Sequence, residues 1–325
     1  MSTRLLAAAA LATVALLALL ATQAEARACD TRGQAGTQYV TGVNCRTVEV
    51  DGHARRYVVY VPARRLPAAP VVFMFHGTSG SGEQFLRISG WREQADRTGL
   101  IAVFPTALRY RVVESGRRVT KWHEFGLGDK ITDERPPGYP EDSPMPADDI
   151  GFVDAMVADL DDRLPIDRRR IYASGFSNGA NFAARLTVDR SKRIAAAGYS
   201  AGGLEDVHTP DRAVPTYITV GTRDDRLLAR TGLAELPLDP VAILAEPVLG
   251  SFLDTHVATL GLDPGDLDTT TRPRSTLIRW PSRDAQLQFR MIARLGHKFP
   301  NGDNNPAGFA AAPEFWKFFR AHPLP

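Results

Sequence analysis

Gly175-Phe176-Ser177-Asn178-Gly179 constrains this chain more than any other stretch. A short apolar run, Arg170-Ile171-Tyr172-Ala173-Ser174, precedes it, and a helix-compatible stretch over residues 179–189 follows. Strand, Gly-x-Ser-x-Gly, helix is the context of a nucleophile elbow. The turn is so tight that a side chain at either glycine position collides with backbone. Glycine also reaches the unusual dihedrals at low steric cost. The serine between them is then strained, with its hydroxyl exposed at the carboxyl edge of a sheet. A glycine-rich chain produces this pentapeptide by chance often enough that the flanking elements and the partners of Ser177 must carry the assignment.

Those elements alternate. Val48-Glu49-Val50, Asp51-Gly52 and Tyr57-Val58-Val59-Tyr60-Val61 predict a β-hairpin, because Asp-Gly is a favoured two-residue turn. Residues 70–75 and 100–104 are apolar runs suited to strands buried on both faces of a mainly parallel sheet. A helix is predicted between them, over residues 83–98, stopped by Gly99. Residues 148–160 open with Asp148 and Asp149 and place Ile150, Val153, Met156, Val157 and Leu160 on one face. The acidic cluster there reads as helix capping and a solvated face rather than a metal site. Further strands are expected at 194–199, 215–220, 276–280 and 287–293, and helices at 248–260 and 313–320. The pattern predicts one α/β domain over residues 27–325 with right-handed crossovers. Two long segments interrupt it. Residues 107–147 are polar and proline-rich, and their place between a strand and a helix puts them over the carboxyl edge of the sheet, as a lid, a pocket wall or a surface insertion. Residues 226–274 form the second insertion.

The N-terminus bears on compartment. Arg4, an apolar run over residues 5–21, and small residues at Ala24, Ala26 and Ala28 predict a secretory signal peptide, residues 1–26, cut after Ala26 or Ala28. An uncleaved anchor is the alternative, although the run is short for a span. No other stretch is suited to crossing a membrane. Cys29 and Cys45 are the two cysteines, and in an oxidising compartment their expected fate is a disulfide with each other. Such a loop is worth about 3 kcal/mol in the chain-entropy model. A net charge of +2, with acidic residues interleaved among the arginines, gives no pointer to nucleic acid or an acidic polymer. No nucleotide motif or metal-ligand cluster stands out, so neither cofactor nor metal is expected.

A serine hydroxyl needs a base within hydrogen-bond reach, and the base needs a group that fixes its tautomer. In this kind of sheet the order along the chain is serine, acid, histidine. Ser177 follows one strand, Asp224 or its neighbour Asp225 a later one, and His297 the last. Adjacent side chains diverge, so one aspartate reaches the imidazole, and Asp224 is preferred. Two backbone N–H donors are expected to hold an oxyanion. One belongs to Asn178, after the serine; the other to Thr78, or next to it Gly77, in the loop after the His76 strand. His76 is expected to buttress that loop.

With these residues in place the chain resembles the secreted esterases grouped as poly(3-hydroxybutyrate) depolymerase-like and feruloyl or acetylxylan esterase-like, which are α/β-hydrolases. The resemblance spans about Val48 to Phe319. It rests on His76-Gly77-Thr78, Trp122, Asp149-Ile150-Gly151-Phe152-Val153, the elbow, Gly221-Thr222-x-Asp224 and Gly296-His297. It implies Ser177 as nucleophile, Asp224 as acid and His297 as base. It also implies Trp122 in the wall of the substrate cleft, where His76 and Phe299 are expected as well. Where the family often has Trp-Pro-Gly, this chain has Phe299-Pro300-Asn301. The expected substrate is a polysaccharide-linked feruloyl or acetyl ester, or a hydroxyalkanoate-type polyester or oligomer. Acyl transfer by the same residues, or a catalytically silent carbohydrate-binding fold, are the alternatives.

Overall fold

The computed structural model describes Cys29 and residues 38–135, 138–283 and 285–325. The expected signal segment lies outside the described residues. Among them, no helix is long and apolar enough to cross a membrane.

Strands β1 (Gly42–Val50) and β2 (His53–Val61) form the expected hairpin. Val50 pairs with His53 across a turn whose two residues, Asp51 and Gly52, both have positive φ, the geometry that matches strand twist. Next come β3 (Ala69–Phe75), β4 (Ile101–Pro105), the short pair β5 (Arg109–Arg111) and β6 (Arg118–Thr120), and β7 (Ile166–Phe176). They are followed by β8 (Ala196–Ser200), β9 (Thr216–Arg223), β10 (Asp268–Arg272), β11 (Ser275–Trp280) and β12 (Leu287–Gly296). Among the described residues, ten of these strands form one sheet in the order β1-β2-β4-β3-β7-β8-β9-β12-β11-β10. The central strands β4, β3, β7, β8, β9 and β12 run parallel, and both flanks are antiparallel.

Both faces of the sheet are covered, which is why its central strands are continuous apolar runs. On one face Val59, Phe73, Phe75, Val103 and Ala173 pack against α4 (Asp149–Arg163), α5 (Asn178–Asp189) and α8 (Pro247–Thr259). On the other, Val58, Val72, Met74, Phe104 and Tyr172 meet α1 (Gly82–Ile88), α2 (Trp91–Thr98) and α9 (Ala311–Phe319). There Trp91 and Tyr172 each stack on Phe319, at 5.8 and 4.8 Å between ring centres.

Two sequence expectations are corrected. The helix expected over residues 83–98 is two, broken at Ser89 and Gly90, with Gly90 at φ 77°. At about 100° per residue a continuous helix would turn Trp91 away from the face of Phe85 and Leu86. The break brings all three inward, and they are buried. Asp149 is not on a solvated face. It is fully buried, ion-paired with buried Arg55, and accepts the His123 N–H at 2.7 Å. Asp148 does cap the helix, accepting the Gly151 N–H at 2.8 Å.

Cys29 and Cys45 are disulfide-bonded. The insertion over residues 107–147 contains the β5–β6 hairpin, a one-turn helix α3 (Leu127–Lys130) and its own buried cluster of Tyr110, Leu127 and Ile131. The second insertion carries α6 (Asp225–Thr231), α7 (Pro240–Ala245), α8 and β10.

Candidate active site

Ser177 joins the end of β7 to the start of α5. Its backbone sits at φ 54° and ψ −124°, a conformation that persists only where the surroundings force it, at about 1–3 kcal/mol. The two glycines permit it. A Cβ on Gly175 would lie 2.1 Å from the Gly179 carbonyl oxygen, and one on Gly179 would lie 2.3 Å from the carbonyl oxygens of Phe75 and His76. The Ser177 N–H is tied to the Ser200 carbonyl on β8 at 3.0 Å.

His297 is delivered by a bulge in β12. Ile292 pairs with Gly221 and Gly296 with Arg223, so β12 advances four residues while β9 advances two. The extra residues crowd β9 at Gly221, where a Cβ would meet the Leu295 carbonyl oxygen at 2.0 Å. Past this bulge, His297 Nε2 lies 2.9 Å from Ser177 Oγ, and Nδ1 lies 2.9 and 3.0 Å from the two Asp224 oxygens. Asp224 is buried at the N-terminus of α6, where its carboxylate also accepts the N–H groups of Arg226 and Leu227 at 3.1 and 3.4 Å. Asp225 is exposed. Of the two candidate acids, Asp224 is the one that faces the imidazole. Asp224, Asp225 and His297 also offer ligand atoms within 4.8 Å of one another, but the Asp224–His297 contact has the geometry of a hydrogen-bonded pair.

Thr78 and Asn178 line the same cleft as Ser177 and His297. The Asn178 N–H is at the first turn of α5, where the helix has no acceptor for it. Among the described residues neither it nor the Thr78 N–H meets a protein acceptor. The cleft has two lobes that meet at Gly77, Thr78, Ser79, Phe176 and His297. The larger, about 940 Å³, is walled by the insertion hairpin and the α6 region. Charge edges it: buried Glu124 pairs with Lys130 at 3.0 Å, and burial pushes the pKa of half-buried Lys121 down. The smaller, about 540 Å³, is edged by Phe85, Ile88, Phe176 and Phe299. Phe299 lines this smaller lobe.

Trp122 and His76 are not in the cleft wall, and both expectations are corrected. Each has no exposed surface. The Trp122 ring stacks on Phe182 and meets Phe75 edge-on. Its indole N–H donates to the His76 carbonyl at 2.9 Å. Its backbone is clamped by the Asn178 side chain, whose Oδ1 accepts the Trp122 N–H at 2.7 Å and whose Nδ2 donates to the Trp122 carbonyl at 3.2 Å. His76 is a peg. Its Nε2 accepts the Ala107 N–H at 3.1 Å, and Nδ1 donates to the Gly77 carbonyl at 2.7 Å. Burial pushes its pKa down to about 4, so it is neutral. Ser79 N–H to Thr120 carbonyl (3.0 Å) and Thr120 hydroxyl to Gly80 carbonyl (2.8 Å) complete the weld between this loop and the insertion. The insertion is a fixed wall at its base.

Sequence reasoning missed the Asn178 side-chain clamp, having used only its N–H. It made no use of His256 either. That residue is a second buried neutral peg, its Nε2 accepting the Leu204 N–H at 3.1 Å and Nδ1 donating to the Phe252 carbonyl at 2.8 Å. It holds the Gly203–Leu204 backbone beside the larger lobe. Its one sequence signal is its place beside Leu249, Leu253 and Val257 on the buried face of α8.

The profile of the family described as Esterase PHB depolymerase matches residues 55–229, more than half of the chain. The chain belongs to this family. The PHB depolymerase esterase match takes in Ser177 and Asp224, and His297 lies beyond it. NocK of Nocardia uniformis subsp. tsuyamanensis, an esterase by name, is 30% identical over 209 residues, 62% of this chain and 54% of that protein. The bifunctional acetylxylan esterase/xylanase XynS20E of Neocallimastix patriciarum is 24% identical over 177 residues, 54% of this chain and 22% of that protein. The chain therefore spans about half of the first relative and less of the second. Among solved structures, the acetyl xylan esterase from Aspergillus awamori superposes with a TM-score of 0.53 at 13% identity, covering 86% of this chain and 99% of that one. A ferulic acid esterase gives 0.50 at 14%, covering 80% and 93%. These likenesses establish the α/β-hydrolase fold.

Proposed function

We propose that this protein is a serine carboxylic ester hydrolase that works through an acyl-enzyme. The observation that carries the reading is the unbroken relay from the Asp224 carboxylate through His297 to Ser177 Oγ, each contact 2.9 Å, at a strained elbow. Asp224 accepts the Nδ1–H and thereby leaves the Nε2 lone pair facing the serine. Ser177 Oγ bonds to the ester carbonyl carbon as its proton passes to Nε2. The carbonyl π electrons move onto oxygen, which the Thr78 and Asn178 N–H groups receive. The imidazolium then protonates the departing alcohol oxygen as the C–O bond breaks. Water repeats the sequence on the acyl-enzyme, releasing the acid and restoring Ser177. Losing one such N–H donor costs about 100- to 1000-fold in rate.

The substrate class we infer is a polysaccharide-linked acetyl or feruloyl ester, or a hydroxyalkanoate oligomer. Family membership, the relative named for acetylxylan esterase activity and a two-lobed cleft with an aromatic side support it. Export to an oxidising compartment is part of the reading, and the Cys29–Cys45 bond supports it. The test is a hydrolysis panel on purified protein and Ser177→Ala: p-nitrophenyl esters of increasing chain length, methyl ferulate, acetylated xylan and hydroxybutyrate oligomers. Cleavage by the wild type and none by the variant is the expected result. A wild type inert to all of them, and unlabelled by a fluorophosphonate, sinks the reading. Acyl transfer to an added sugar in preference to water would replace hydrolysis with the transferase alternative.

A further inference from the structure

Behind the insertion hairpin lies a groove of about 1070 Å³ that the ester chemistry does not use. Among the described residues, Arg55, Arg56, Arg87, Arg109, Arg117 and Arg118 line it, from β2, α1 and the β5–β6 hairpin. Arg55 is paired with Asp149 and Arg118 with Glu134. Arg56, Arg87, Arg109 and Arg117 are exposed, and none has an acidic partner among the described residues. Glu49 and Glu83 line the groove as well. The free charge is therefore four cations against two carboxylates. Three buried polar atoms on its lining, Arg55 Nε and Nη1 and His53 Nε2, have no hydrogen-bond partner. The groove is continuous with the cleft: it shares Ser79 with both lobes, Gly80 with the smaller and Arg117 and Val119 with the larger.

We propose that this groove holds the uronate carboxylates of an acidic polysaccharide that carries the ester cleaved at Ser177. The inference rests on the esterase reading above and names the polymer for it. Guanidinium groups are planar forks that take carboxylates two-handed. A concave surface with an excess of positive charge attracts an arriving polyanion. The volume is at the upper end of what a drug-sized ligand fills, roughly 300–1,000 Å³. Arginines on three separate elements therefore suit an extended chain better than one small anion. The shared rim at Ser79 lets one chain lie in the groove while an ester it bears enters the cleft.

The experiment uses the whole chain and the variant Arg56→Gln/Arg87→Gln/Arg109→Gln, whose positions are exposed and outside the catalytic set. Hydrolysis of p-nitrophenyl acetate is expected within about twofold of wild type. KM on acetylated glucuronoxylan is expected to rise about tenfold, three exposed charge contacts being worth roughly that much together. KM on acetylated xylan stripped of uronate should not move. With Ser177→Ala protein, polygalacturonate is expected to bind, and to weaken as ionic strength rises from about 0.05 to about 0.5 M. An unchanged KM on the acidic polymer overturns the proposal. So does binding of inorganic polyphosphate as tight as polygalacturonate, which would make the groove a general polyanion site. Failure of the esterase reading would show instead as a wild type without p-nitrophenyl acetate turnover, whatever the binding arm reports.

Discussion

At the scale of single residues, two neighbours in sequence are separated by burial. Asp224 is buried against His297, and Asp225 is exposed one residue on. Asp224→Asn is expected to lower kcat about 10⁴-fold by letting the imidazole adopt the wrong tautomer. Asp225→Asn should stay within about twofold, and steady-state hydrolysis of one p-nitrophenyl ester reads both. The buried pegs His76 and His256 make stability acid-sensitive. Each has its pKa pushed down by burial, from 6.5 to about 4. As pH falls below about 6.5 the unfolded chain takes up protons that the folded chain refuses. Stability is therefore full above that pH, declines towards about 4 and levels below it, by up to the order of 3 kcal/mol per histidine. Urea unfolding across that range should show the decline. His256→Gln, which still accepts the Leu204 N–H, should have a shallower one. An identical slope in the variant would assign the acid sensitivity to other groups.

At the scale of elements, the insertion over residues 107–147 is the informative one. Its prolines and polarity suggest mobility, yet Trp122, Thr120 and Ala107 bond it to both the elbow side chain and the loop after β3. Trp122→Phe keeps a ring in place but leaves the His76 carbonyl without its donor, a loss of about 1–3 kcal/mol. The expected outcome is a lower melting temperature and a lower kcat with KM on small esters little changed. A raised KM with kcat intact would mean that the indole touches substrate after all. The bulge in β12 has a similar logic. Gly221→Ala sets a methyl group against the Leu295 carbonyl and should push His297 away from Ser177. Its expected result is loss of fluorophosphonate labelling in a protein whose circular dichroism still shows a folded sheet.

At the scale of the whole molecule, the disulfide and the charge distribution stand out. Cys45 lies on β1, an edge strand separated from β7 by β2, β4 and β3. The Cys29→Ser/Cys45→Ser variant should lose about 3 kcal/mol of stability in the chain-entropy model while its turnover at low temperature stays that of the wild type. Denaturant midpoints and initial rates, measured side by side, check it. The net charge of +2 conceals an uneven surface. Arginines from β2, α1 and the β5–β6 hairpin converge on one groove although acidic residues are interleaved with them along the chain.

By itself the sequence determined what depends on neighbours in the chain. The period of apolar runs set the α/β class, Asp51-Gly52 set the hairpin, and the elbow with its two glycines set the position and strain of Ser177. The order serine, acid, histidine followed from the ends of successive strands. Tertiary structure alone decided what depends on contacts between distant segments. It set the carboxylate of Asp224, already preferred on sequence, against the imidazole of His297 and left Asp225 exposed. It moved Trp122 and His76 from the cleft wall into the packing behind it, because both fill the space between the sheet and the insertion. It buried Asp149 on Arg55 and broke the helix at Gly90 so that Trp91 could turn inward. Local pattern records which residues prefer water and which turns are tight; it carries no record of which buried polar group meets which, since that is settled only when the strands are in register and the loops have packed.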